Sequence, residues 1–176
     1  MGPVVVKTAD WYNFPIMTMN TIIALGANYL YIPVSLLAIY FLWTEGNEKR
    51  KSLLIFAAIS LPLTLAFARI AGHFYYDPRP FVVGHFTPII PHVPDNGFPS
   101  DHALLTSALA ALVFVFNRKK GLILGALALL VGYFRVAAEV HHWIDIAGSF
   151  AISAFTAWLV YLIIESYKRR HGEKRA

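Results

Sequence analysis

The chain has 176 residues, 57% of them hydrophobic and 14% charged, with a net charge of +5 and no cysteine. Soluble domains carry roughly 25% charged residues, so the deficit, with a mean hydropathy of +0.56, points to a bilayer as solvent. The missing cysteines exclude disulfide frameworks, Cys-based zinc sites and thiol nucleophiles, and nucleic acid is excluded as a partner because the basic residues lie between and after apolar segments rather than on one stripe.

The length suits a single integral membrane domain, 1–176, with its motifs in a core at about 53–165. Residues 1–10 lack the basic start, apolar run and small-residue cleavage site of a secretory leader. The mixed segment 10–23 suits the membrane interface. A spanning helix needs about 20 mostly apolar residues. Five stretches meet or approach that: 26–43, 53–74, 101–116, 121–138 and 144–164. The third is short and is expected to reach only partway in from one surface. Strands are excluded, because open sheet edges are not tolerated in lipid. The predicted fold is an all-α polytopic bundle. Trp11, Tyr12, Trp43, Trp143, Tyr161 and Tyr167 fall near the expected helix ends, where amphipathic rings favour the headgroup zone. Gly121 and Gly125 form a GxxxG pair that suits close helix packing.

Five spans put Lys49, Arg50 and Lys51, then Arg118, Lys119 and Lys120, then Lys168, Arg169, Arg170, Lys174 and Arg175 on one side. The positive-inside rule makes that side, and the C-terminus, cytoplasmic. Lys7 falls on the outer side. So do three single arginines, Arg69, Arg79 and Arg135, and every histidine except His171. Arg and His gathered where the charge rule disfavours cations mark a candidate site.

Three outer segments carry chemistry. In Tyr76-Asp77-Pro78-Arg79-Pro80-Phe81, the prolines end the second span and stiffen the backbone around Arg79. A held guanidinium suits phosphate, although an arginine at a helix end also serves as an interfacial anchor. In Phe98-Pro99-Ser100-Asp101-His102-Ala103, Ser100 is a natural N-cap and Asp101 suits a first turn. The same helix start offers free N–H groups to an anion, and His102 there can protonate a leaving oxygen. In the third segment, His141 and Asp145 are spaced for one helix face. A carboxylate on one ring nitrogen leaves the other free to attack. A break near residues 139–142 would turn Arg135 into the same pocket. Together the segments supply nucleophile, acid and positive charge for phosphoryl transfer without a metal.

These segments resemble the type-2 phosphatidic acid phosphatase superfamily, whose signature runs Lys-x6-Arg-Pro, Pro-Ser-Gly-His, Ser-Arg-x5-His-x3-Asp. Arg79-Pro80, Pro99-Ser100 with His102, and Arg135, His141 and Asp145 match it in order and spacing. The family lysine would fall at Gly72, with Arg69 one turn earlier as its replacement. The serine before the third-motif arginine is Phe134, and the glycine of the second motif is Asp101. The forms Phe-Pro-Ser-Asp-His-Ala and Asp-Pro-Arg-Pro-Phe resemble the undecaprenyl-diphosphatase, bacitracin-resistance subgroup. The resemblance implies a polyprenyl diphosphate substrate, recycling of the lipid carrier for cell-wall synthesis, an active site on the outer face of a plasma membrane, and no cofactor or metal. His141 is then the nucleophile, oriented by Asp145, with His102 as acid. Arg79, Arg135, Ser100 and, as the lysine's replacement, Arg69 hold the transferred phosphoryl group. Asp101 belongs to the same pocket, paired with an arginine or shaping the acidity of His102.

The loop 81–98 is long and shows no evident secondary structure, which suits a lid or interfacial segment. Its His85, His92 and Asp95 are not spaced diagnostically for a metal. Glu139 and His142 read as supporting residues, and His73 as interfacial. Other readings that stay open are a glycerophospholipid phosphatase of the same superfamily and a small anion transporter.

Overall fold

The computed structural model describes residues 14–170 and residue 172. The expectations for residues 1–10, Trp11, Tyr12, His171, Lys174 and Arg175 lie outside them. The helices are α1 (Phe14–Tyr29), α2 (Tyr31–Trp43), α3 (Asn47–Phe74), α4 (Pro80–Gly84), α5 (Asp101–Phe116), α6 (Arg118–Ala137) and α7 (Trp143–Arg170). Among the described residues there is no strand, only an isolated bridge between Pro78 and Asn96.

Three helices are long and apolar enough to cross a membrane: α3 and α7, with 28 residues each, and α6 with 20. At ~1.5 Å per residue α3 and α7 are roughly 42 Å long, longer than the ~30 Å hydrocarbon core. The expected span 26–43 is not one straight helix. It is the end of α1 joined to α2 across Leu30, and the pair bends by 44°. Pro33 supplies the cause: it has no N–H for the Tyr29 carbonyl, and its ring crowds that oxygen. The segment expected at the interface enters α1 from Phe14 onward.

The short helix α5, 16 residues, packs against α2, α3, α6 and α7. It lies inside the bundle, so it need not match the bilayer thickness. Its seam with α7 is built of small hydroxyl residues. Ser107 and Ser153 share a hydrogen bond of 2.8 Å, and Ser149 Oγ donates to the Ser100 carbonyl at 3.0 Å. In lipid, such contacts and close backbone approach hold helices together. Large apolar side chains such as Ile55, Ile59, Ile70, Leu122 and Ile163 stand exposed on the outside, where lipid tails solvate them. The Gly121–Gly125 pair is corrected by the packing. A Cβ on Gly121 would lie 2.3 Å from Phe114 Cα, but one on Gly125 would meet nothing within 4 Å. The second close approach on α6 is Gly132, where a Cβ would lie 2.5 Å from Ile146 Cγ2.

At one end of the bundle the α2–α3 and α5–α6 turns meet through Glu45. Its carboxylate oxygens lie 2.5 Å from Lys120 Nζ and 2.9 Å from Lys49 Nζ. Lys120 first, then Lys49, pull its pKa down to about 2. The opposite end gathers the C-termini of α3 and α6 and the N-termini of α5 and α7, crossed by the connection from Tyr75 to Ser100.

Candidate active site

The connection is anchored by one side chain. Asn96 Oδ1 accepts from the backbone N–H of Asp77 (2.9 Å) and of Phe98 (3.0 Å), while Nδ2 donates to the carbonyls of Gly72 (2.9 Å) and Tyr75 (3.1 Å). All four hydrogen-bonding positions of the amide are used, and they tie the end of α3 to both ends of the loop. The loop expected to lack secondary structure contains α4, with Pro80 in its first turn and Arg79 at its N-cap. Preceding a proline, Arg79 is held in extended backbone. Ile90 is buried with Ala27, Ala138 and Val140, so the loop is packed down as well as bridged.

Arg79 is 5% exposed and its guanidinium is fixed on three sides. Nε donates to Asp95 Oδ1 (2.7 Å), Nη1 to the Val140 carbonyl (2.7 Å), and Nη2 to the Asn96 carbonyl (3.4 Å). Nη1 also lies 3.3 Å from His141 Nε2. On the far side of that ring, Nδ1 lies 3.0 Å from Asp145 Oδ2. A carboxylate at Nδ1 favours the tautomer in which Nδ1–H donates to it, with the Nε2 lone pair turned toward Arg79 and the cavity. His141 is not helical, as a continuous-helix spacing would have it. It sits in the turn between α6 and α7, where Glu139 adopts φ +63°. A left-handed residue ends α6 sharply and swings His141 back over the first turn of α7. The His142 backbone N–H adds a 2.9 Å bond to Asp145 Oδ2, and His142 Nδ1 lies 2.8 Å from Asp77 Oδ2. Burial first, then Arg135 and Arg79, pushes the His141 pKa down to about 2. His92, whose ring centroid is 6.2 Å from that of His141, is also lowered, by burial and then Arg79.

A cavity of about 580 Å³ opens here, lined by Arg69, Arg79, Arg135, Asp101, His102 and His141 among others. Arg135 is 3% exposed; Nη1 donates to the Ala27 carbonyl at 3.3 Å, and Nε has no partner. Ser100 occupies the N-cap position of α5 but makes no capping bond; its Oγ is buried and unpartnered. The sequence expectation of a capping serine is therefore replaced by a free hydroxyl. His102 stacks edge-on against Tyr31 with centroids 4.6 Å apart. Asp101 is exposed and close enough to Arg135 to interact with its charge. Every site residue read from the sequence is thus at this end. All line the cavity except Ser100 and Asp145, which lie buried behind it.

The departures from the family signature have local causes. A Cβ on Gly72 would lie 2.9 Å from the Phe98 carbonyl oxygen, so no side chain fits where the lysine would fall. Phe134 packs on Gly26, where a Cβ would lie 2.5 Å from its ring, and so braces α1 beside Arg135. Asn96, Asp77 and the Ala27 carbonyl were not singled out from the sequence. Asn96 and Asp77 lie in segments already marked, but nothing local indicates what they bond. His85, His92 and Asp95 do not form a donor group. Among the described residues the group close enough for a metal is Asp77, His142 and Asp145, with ligand atoms within 4.8 Å; these atoms already pair with one another and with His141.

The fold and site define a multi-pass helical membrane protein with a His–Asp pair and two buried arginines around one cavity. Residues 53–169 match the PAP2 superfamily, and the chain belongs to that superfamily. It is 30% identical over 120 residues to the undecaprenyl-diphosphatase BcrC of Bacillus subtilis, covering 68% of this chain and 62% of that one. It is 28% identical to the bacitracin transport permease protein BcrC of Bacillus licheniformis, covering 81% and 70%. The chain thus spans somewhat less than two thirds of the first of these two relatives. Among solved structures, Aquifex aeolicus LpxE has the same fold, with a TM-score of 0.60 at 24% identity over 84% of this chain and 86% of that one. The PAP2-type phosphatidylglycerolphosphate phosphatase of Bacillus subtilis gives 0.50 at 21%, over 94% and 82%.

Proposed function

We propose that the chain is a membrane phosphatase that hydrolyses a polyprenyl diphosphate, undecaprenyl diphosphate in particular, to the lipid monophosphate and inorganic phosphate. The observation that carries this is the line from Asp145 through His141 to Arg79, which sets Nε2 beside a guanidinium at the wall of an open cavity. His141 Nε2 attacks the terminal phosphorus. The bond from that phosphorus to the bridging oxygen breaks, and its electron pair stays on the lipid phosphate, which takes a proton from His102. Asp145 stabilises the imidazole as it becomes positive. Arg79 and Arg135 hold the equatorial oxygens, where charge builds in the transition state, with the unpartnered Ser100 hydroxyl buried behind them. Asp101, beside Arg135, limits the net positive charge of the empty pocket. Water then cleaves the phosphohistidine and releases phosphate. No cofactor or metal enters these steps. The site faces outward and the C-terminus inward, which suits recycling of a lipid carrier for cell-wall synthesis; the relative named undecaprenyl-diphosphatase supports the choice of substrate.

The test is phosphate release from undecaprenyl diphosphate by the purified chain in a chelating buffer, wild type against His141→Ala. The variant is expected to lose at least about a thousandfold in rate. Wild-type preference for phosphatidylglycerophosphate or phosphatidate would overturn the substrate, and no hydrolysis of any of these lipids would favour a transporter.

A further inference from the structure

The helix α3 presents Leu65, Ala68, Arg69, Gly72 and His73 to the cavity. The spacing is that of one helix face. Along it the chemistry changes from apolar at Leu65 and Ala68, which lie deeper along α3, to polar at Arg69 and His73 near its end. Arg69 is exposed to the cavity and makes no hydrogen bond or ion pair among the described residues. It sits five residues before the end of α3 at Phe74, roughly 7–8 Å down the helix. An unpaired cation at that depth in a spanning helix is costly and marks a ligand path. Gly72, nearer the end, has no room for a side chain against the Phe98 carbonyl. The free cation of this face is therefore set one turn toward the apolar end.

A lipid diphosphate is built in the same order as this stripe: chain, chain-side phosphate, terminal phosphate. Arg79 and Arg135, which line the cavity beside His141, serve the terminal group. The chain-side phosphate is negative from the outset, and gains charge when the bridging bond breaks and leaves its electron pair on that oxygen. We propose that Arg69 binds this chain-side phosphate, and so makes the site select a diphosphate over a single phosphate. The inference rests on the phosphatase reading above. It places Arg69 on the leaving group, rather than on the transferred phosphoryl group as a substitute for the family lysine would be.

The full chain in detergent is assayed with farnesyl diphosphate, wild type against Arg69→Gln and Arg69→Lys. Competitive inhibition by methylenediphosphonate (two phosphorus centres) and by inorganic phosphate (one) is measured for each. In Arg69→Gln, kcat/KM is expected to fall about ten- to hundredfold, the size of one charge-assisted hydrogen bond. Inhibition by methylenediphosphonate should weaken about tenfold more than inhibition by phosphate, with partial recovery in Arg69→Lys. Equal weakening of both inhibitors would put Arg69 on the transferred group and overturn the proposal. Unchanged inhibition by both, or a wild type that binds methylenediphosphonate no better than phosphate, would also overturn it. A wild type that releases no phosphate from farnesyl diphosphate overturns the phosphatase reading and this inference with it.

Discussion

A histidine can attack phosphorus only as the free base, and the surroundings of His141 favour that form. Burial, Arg135 and Arg79 all disfavour the imidazolium, and its pKa falls to about 2 from the ordinary 6.5. In the unfolded chain the same ring takes a proton as the pH drops below about 6.5. The folded state does not, so the unfolded state binds more protons and stability falls with acid. His92 is shifted in the same direction and adds to the slope. The thermal midpoint in detergent is therefore expected to fall between pH 7.5 and pH 5, and to fall less steeply in His141→Gln. An equal slope in the variant would show that His141 is not the group responsible. The identities of His141, Asp145, Arg79 and Arg135 were legible because their spacing along the chain is itself the motif. The partners that aim them were not. The Val140 carbonyl that fixes Arg79 lies 61 residues away, and Asp77 meets His142 across 65. Neither pairing leaves a local signature.

At the level of elements, apolar runs announced the helices and prolines announced their ends. The error in the first span came from Thr18, Asn20 and Thr21, whose polar side chains hide the helical character of α1. The connection between α3 and α5 was the least legible part. Its order comes from one amide with four backbone partners, not from periodicity. Asn96→Ala frees two carbonyls and two N–H groups in a half-buried position. The expected cost is about 2–3 kcal/mol in unfolding free energy. Because the same amide sets the loop that carries Asp95 and the Asn96 carbonyl against Arg79, kcat should fall with it. Asn96→Asp keeps the acceptor for Asp77 and Phe98 but turns a carboxylate toward two carbonyls, so it should be at least as damaging. Wild-type melting and turnover in Asn96→Ala would refute the hub.

For the whole molecule, the arrangement of charge decides which way the bundle sits. Lys49, Arg50, Lys51, Arg118, Lys119, Lys120, Lys168, Arg169 and Arg170 all belong to the end opposite the cavity. The arginines at the cavity end are buried or turned into it, so they are not loop charges that would oppose this asymmetry. The active site is then expected on the outer face. The chain has no cysteine, so single-cysteine variants report one position each. Val93, exposed on the connection, marks the cavity end. Gly46, exposed with nothing within 4 Å of a Cβ, marks the other. In intact spheroplasts a membrane-impermeant maleimide should label Val93→Cys, and should label Gly46→Cys only after permeabilisation. The reverse pattern would put the cavity on the cytoplasmic side. The reaction at His141 would survive that result, because its geometry does not depend on which face it opens to. An outward supply of lipid diphosphate would not, because the site could then draw substrate only from the inner leaflet.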